Sequence, residues 1–89
     1  MVEQQLEIVN KLGLHARAAA KLVNTAARFA SQTTVEFAGQ SADAKSIMSV
    51  MMLAASQGSM ITLRCQGDDQ EQAMKSLKEL IENYFDEEQ

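Results

Sequence analysis

An α+β fold, an antiparallel sheet with helices on one face, is predicted by three observations. Apolar and polar residues alternate clearly in three short segments and weakly in a fourth, the signature of half-buried strands. Between these segments the apolar period becomes three and four, the spacing of one helix face. The two patterns interleave as β-α-β-β-α-β-α, and helices laid on one side of the sheet bury both apolar sets. The 89 residues show no repeat, linker or low-complexity stretch, so a single domain spanning residues 1–89 is expected.

Each element has its own local reason. Val2, Leu6 and Ile8 alternate with polar residues at positions 3, 5 and 7, which predicts the first strand. Asn10 to Leu14 forms a connection in which Gly13 lets the backbone turn. From Ala16 the helical period begins, with Ala19, Leu22, Val23, Ala26, Ala27 and Ala30 on one face. Val35 and Phe37 share one side of a second strand over Thr33 to Phe37. Ala38-Gly39-Gln40-Ser41 reads as a hairpin turn, followed by a short strand through Ala44.

The second half follows the same logic. Ser46 precedes a short helix over Ile47 to Leu53, and Gly58 is a terminator or turn residue. Met60 to Cys65 alternates with Ile61, Leu63 and Cys65 inward. Asp68 and Glu71 have capping-box spacing, with aspartate in the Ser/Thr place. Ala73, Leu77, Leu80, Ile81 and Tyr84 then form a helical stripe bordered by Phe85. The first helix is expected to run ~13 residues and the last ~16, with a solvated tail over Asp86 to Gln89.

Composition excludes several function classes. One cysteine allows no internal disulfide and suits a reducing cytoplasm. No basic segment followed by an apolar run opens the chain, so no signal peptide is expected. No apolar run approaches the ~20 residues that span a bilayer, so membrane insertion is not expected. The net charge of −4 and the absence of tryptophan argue against nucleic-acid binding. A single histidine rules out the usual Cys/His metal sets, and no GxxxxGK[ST] loop is present. Neither a metal nor a cofactor is expected.

That single histidine, His15, stands directly before the first helix in Asn10-Lys11-Leu12-Gly13-Leu14-His15-Ala16-Arg17. A helix start is an anion site, because its first N–H groups lack intrahelical partners and its dipole adds partial positive charge. The imidazole beside it offers a ring nitrogen as nucleophile. The N–H groups of Ala16, Arg17 and Ala18, with the Arg17 guanidinium, suit phosphoryl oxygens. An arginine in a first helical turn is otherwise unfavourably placed against the dipole, which points to an anionic ligand. No general base is evident, so His15 reads as a relay point served by partner enzymes.

The second helix offers a surface. Ser46 is a preferred N-cap residue. Met48, Met51 and Met52 stand at i, i+3 and i+4 and share one face, while Val50 and Leu53 supply another. Flexible methionines suit a face that must fit several partners. Cys65 reads as a buried strand residue, and Lys21 and Asn24 edge the same surface from the first helix.

The chain closely resembles the HPr family of histidine-containing phosphocarriers of the bacterial phosphotransferase system. Two stretches carry the resemblance: Asn10 to Ala19 around His15, and Ala44-Lys45-Ser46-Ile47-Met48-Ser49-Val50-Met51-Met52-Leu53. It implies an open-faced β-sandwich of four antiparallel strands with three helices on one side. It also implies a cytoplasmic, monomeric carrier that is not itself an enzyme. His15 would be phosphorylated on Nδ1 by phospho-Enzyme I, ultimately from phosphoenolpyruvate, and would pass the group to a family II A-type domain. Ala20, Lys21, Ile47, Met48 and Met51 would meet these partners, and Ser46 would be the target of a regulatory HPr kinase/phosphorylase. One position departs from the pattern. The family usually has proline where this chain has Ala18, and alanine there also resembles the nitrogen-related NPr branch. A nitrogen-related or regulatory carrier, and a binding module that transfers nothing, are the competing readings.

Overall fold

The computed structural model describes residues 1–86. Four strands, β1 (Val2–Glu7), β2 (Gln32–Phe37), β3 (Gln40–Asp43) and β4 (Met60–Gln66), form one sheet in the order β1-β4-β2-β3. Every neighbouring pair is antiparallel. Three helices, α1 (Ala16–Ala26), α2 (Ile47–Met52) and α3 (Gln70–Glu82), complete the expected α+β sandwich. Helix α3 packs on β1 and β4, α2 meets β3, and α1 contacts both other helices.

The period-two pattern determines which side of the sheet is covered. Leu6 pairs with Ile61 and Val35 with Leu63, placing these side chains on one face. They are buried together with Leu22, Ala26, Val50, Leu77 and Ile81. Thr33 and Cys65 pair on the same face, and the Thr33 hydroxyl donates to the Cys65 thiol at 3.7 Å. Burial pushes the Cys65 thiol above its ordinary pKa, as expected of a packing residue and not a nucleophile. On the opposite face Arg64 reaches Glu3 on β1 at 2.6 Å and Glu36 on β2 at 2.5 Å, stapling three strands.

Several local expectations are corrected. The hairpin between β2 and β3 turns on Ala38 and Gly39 alone, because Gln40 already pairs with Phe37. Both turn residues have positive φ, 53° and 82°, which matches the right-handed twist of the flanking strands. Ala27 and Ala30 are exposed, because α1 ends at Ala26, whereas Ala18 is fully buried. Helix α2 ends on Ala54 in a left-handed conformation (φ 55°), so of the two roles open to Gly58 it takes that of turn residue. Asp68 and Glu71 form no capping box; Asp69 is the N-cap of α3. Its carboxylate accepts instead from the N–H groups of Ala30 (2.8 Å) and Ser31 (2.9 Å) and from the Ser31 hydroxyl. The α1–β2 connection thus captures the Asp69 carboxylate, whereas the sequence assigns the cap to Asp68.

The C-terminal end departs most. Helix α3 stops at Glu82, and Tyr84, Phe85 and Asp86 follow with φ between 53° and 61°. This reversal buries Phe85 completely and leaves Tyr84 exposed, the opposite of the helical-stripe expectation. Continuing the helix would have pointed Tyr84 inward along the stripe. Met74, absent from the expected stripe, is also buried. The turn is held by Asn83 Nδ2 donating to Asp86 Oδ1 at 3.0 Å and by Lys21 Nζ donating to the Phe85 carbonyl at 2.7 Å. Asp86 is thus ordered into this turn, and the remainder of the expected solvated tail lies outside the described residues.

Candidate functional site

His15 is delivered by a connection held at several points. Gly13 takes φ 66°, and a Cβ there would lie 2.5 Å from the Ala55 carbonyl oxygen and 2.8 Å from Ser56 Cα. Glycine is therefore needed both for the backbone conformation and for the close approach of the loop that follows α2. The Leu14 N–H donates to that Ala55 carbonyl at 2.9 Å. The loop is braced further by the Gly58 N–H on the Ile8 carbonyl (2.8 Å) and by Gln57 Nε2 on the Val9 carbonyl (3.2 Å). Leu14 is buried, so the chain enters α1 along a packed path.

His15 is the N-cap of α1, with extended backbone (φ −75°, ψ 178°). Its ring caps the helix: Nδ1 accepts from the Arg17 N–H at 3.3 Å. Its carbonyl accepts from the Ala19 N–H at 2.8 Å, the first α-helical bond. The imidazole is half-buried, Ala16 and Arg17 are exposed, and Ala18 turns its methyl into the core. The Ala18 backbone N–H still belongs to the first turn, where the helix does not require it. This is why the usual proline and this alanine are both compatible with the same helix start. The first turn of α1 contains no acidic residue, so nothing local cancels its positive end.

Ser46 is the N-cap of α2. Its Oγ accepts from the Ser49 N–H at 3.3 Å and lies 3.0 Å from the Ser49 hydroxyl as donor. It is half-buried and sits at the end of α2 opposite the Ala55 segment that clasps the His15 loop. Six residues at 1.5 Å rise separate the two ends by roughly 9 Å. Ile47 and Met48 are exposed at 39% and 68%, while Val50 is fully buried. Met51 is half-buried against the core, whereas Met52 is 74% exposed. The shared methionine face is thus divided by depth, and Met52, not Met51, adds most to the open apolar surface.

Among the other expected interface residues, Ala20 and Lys21 are half-buried, and Lys21 is committed to the Phe85 carbonyl. Leu12, on the loop before His15, adds a further apolar residue that is 67% exposed and follows no strand or helix period. A surface depression of about 720 Å³ between α1 and α3, lined by Asn24, Arg28, Glu79 and Leu80, does not involve His15. Among the described residues no group of three His, Cys, Asp or Glu side chains is placed to hold a metal ion. No helix among them is long and apolar enough to cross a membrane.

Comparison with known proteins agrees with this geometry. The family model described as "PTS HPr component phosphorylation site" matches residues 2–83. The chain is 55% identical over 87 residues to the phosphocarrier protein HPr of Xylella fastidiosa, covering 98% of each. It is 52% identical to the HPr of Cupriavidus necator over the same share. A crystal structure of HPr from Thermoanaerobacter tengcongensis superimposes with a TM-score of 0.96 at 50% identity, covering both chains completely. The family model and the relatives define a phosphocarrier of the bacterial phosphotransferase system, a protein that carries a phosphoryl group and is not an enzyme. Within that class the chain belongs to the HPr family.

Proposed function

We propose that this carrier holds its phosphoryl group on Nδ1 of His15, taking it from phospho-Enzyme I and passing it to a family II A-type domain. The observation that carries this reading is the direction of the imidazole. Nδ1 accepts from the Arg17 N–H, so its lone pair faces the N-terminus of α1. At 3.3 Å this bond is beyond the usual 2.7–3.2 Å range and is inexpensive to give up. Nδ1 attacks phosphorus, an N–P bond forms there, and the donor's P–N bond breaks as its electron pair returns to the donor ring. The freed Arg17 N–H, its neighbours and the exposed guanidinium then meet the new phosphoryl oxygens. Each such helix-end interaction is worth roughly 0.3–1 kcal/mol when exposed, enough to hold the group and still release it.

The exposed residues Leu12, Ile47, Met48 and Met52 supply the apolar part of the docking face. Ser46 is its control point in this reading. A phosphate there would set charge beside Ile47 and Met48 and weaken apolar docking without unfolding α2. Treatment with an HPr kinase/phosphorylase is expected to modify Ser46 and no other serine.

The deciding experiment mixes the protein with phosphoenolpyruvate, Mg²⁺ and Enzyme I and follows intact mass. One acid-labile phosphoryl group is expected, and none in His15→Ala. An adduct that persists in His15→Ala refutes the site, and no adduct with a cognate Enzyme I refutes the reading as a whole.

A further inference from the structure

The peptide unit joining Gly13 to Leu14, one residue before His15, is gripped at both of its polar atoms. Its oxygen, the Gly13 carbonyl, accepts from Asn10 Nδ2 at 2.8 Å. Its nitrogen, the Leu14 N–H, donates to the Ala55 carbonyl at 2.9 Å. The two grips come from different parts of the chain, one from the connection itself and one from the loop after α2. Asn10 is fully buried, and the Gly13 N–H returns to the Asn10 carbonyl at 3.2 Å, closing a tight ring around the bend. With this plane held and the Leu14 side chain packed, only the Leu14 dihedrals and the start of His15 remain between the clamp and the imidazole. A buried side-chain amide donating to a carbonyl in a low-dielectric setting is a rigid constraint.

We propose that Asn10 is a positioning residue for phosphoryl transfer. Its carboxamide holds the Gly13–Leu14 plane and thereby aims His15 Nδ1 at the α1 N-terminus. The proposal rests on the assignment of His15 as the phosphoryl acceptor. Misplacing a reacting group by about 1 Å can cost on the order of 100-fold in rate. Loss of the amide is therefore expected to act on kcat, while KM for phospho-Enzyme I holds because the exposed docking residues are untouched.

The test compares Asn10→Ala and Asn10→Asp with the unsubstituted protein and with Ile61→Val, a conservative change on the buried face of β4. Stability, kcat and KM for phosphoryl acceptance, and the ¹⁵N resonances of the His15 ring and Arg17 amide are measured for each. Asn10→Ala is expected to lose roughly 10- to 100-fold in kcat at nearly constant KM. Its Arg17 amide and His15 Nδ1 resonances should shift, whereas Ile61→Val leaves both unchanged. Asn10→Asp is nearly isosteric, and its ionised carboxylate cannot donate to Gly13. Once protonated it can, so its kcat relative to the unsubstituted protein should recover as pH falls. Unchanged kcat and unchanged ring and Arg17 resonances in both Asn10 variants overturn the proposal. Failure of the unsubstituted protein to accept phosphate overturns the His15 assignment instead, and the resonances still decide whether Asn10 orients the ring.

Discussion

Gly13→Ala is expected to damage both stability and phosphoryl acceptance, and the structure separates the two causes of the loss. The φ of 66° places any L-residue in the left-handed region, at about 1–2 kcal/mol. The new methyl would also lie 2.5 Å from the Ala55 oxygen and 2.8 Å from Ser56 Cα, both backbone atoms that no rotamer change can move aside. Relieving such overpacking typically costs about 1–3 kcal/mol. The sum, about 2–5 kcal/mol, should lower Tm by at least roughly 8 °C in a domain of this size. Gly39→Ala is the internal control, since its φ is 82° and nothing lies within 4 Å of the added methyl. Urea unfolding of both variants isolates the contact contribution as their difference. Retreat of the Ala55 loop would also stretch the Leu14 N–H bond and loosen the approach to His15, so acceptance from phospho-Enzyme I should slow. A stability loss in Gly13→Ala no greater than in Gly39→Ala would refute the close-approach argument.

Four further outcomes are expected. The Ser31 hydroxyl and the Ala30 and Ser31 N–H groups hold the Asp69 carboxyl below its ordinary pKa. Its contribution to stability is therefore complete above the unfolded carboxylate range near ~3.9 and fades as pH falls through the lower folded value; Asp69→Asn should be less stable at neutral pH and show a shallower acid limb in pH-dependent urea unfolding. Ala38→Asn should stabilise by about 1 kcal/mol, because φ 53° in a two-residue hairpin turn favours asparagine, and a higher urea midpoint at constant m-value would show it. Phe85→Ala should cost about 3–5 kcal/mol by empty space left in the core, whereas Tyr84→Ala should cost far less; equal losses in thermal unfolding would contradict the observed reversal. Met48→Glu should leave Tm nearly unchanged and raise KM for phospho-Enzyme I at least severalfold, since its side chain is 68% exposed; unaltered transfer kinetics would remove Met48 from the docking face.

The strands and helices were legible because their periodicity reflects which side of each element is covered. Ile61, Leu63 and Cys65 announce β4 in this way, and Ala19, Leu22, Val23 and Ala26 announce α1. The place of His15 and Arg17 at a helix start was legible because the helical period begins directly behind the histidine. Ser46 was legible as a cap because capping is a bond between residues three apart. Less was legible wherever a local motif had a distant competitor. The Asp69 carboxylate, at the N-cap of α3, makes no capping bond to its own helix and accepts instead from the Ala30 and Ser31 N–H groups, some 38 residues earlier in the chain. Phe85 and Tyr84 exchange roles because a backbone reversal follows α3, and Lys21 on α1 helps to hold it.

By itself, then, the sequence determined the element order, the covered face of each strand and the presence of a lone histidine at a helix start. These depend on residue type and short-range spacing, which a linear chain expresses directly. The tertiary structure alone decided how that histidine is held. The Gly13–Leu14 plane is pinned by Asn10 on one side and by Ala55, more than 40 residues away, on the other. It also decided that Met52 faces outward while Met51 leans on the core, because a six-residue helix can bury only the side that its neighbours cover.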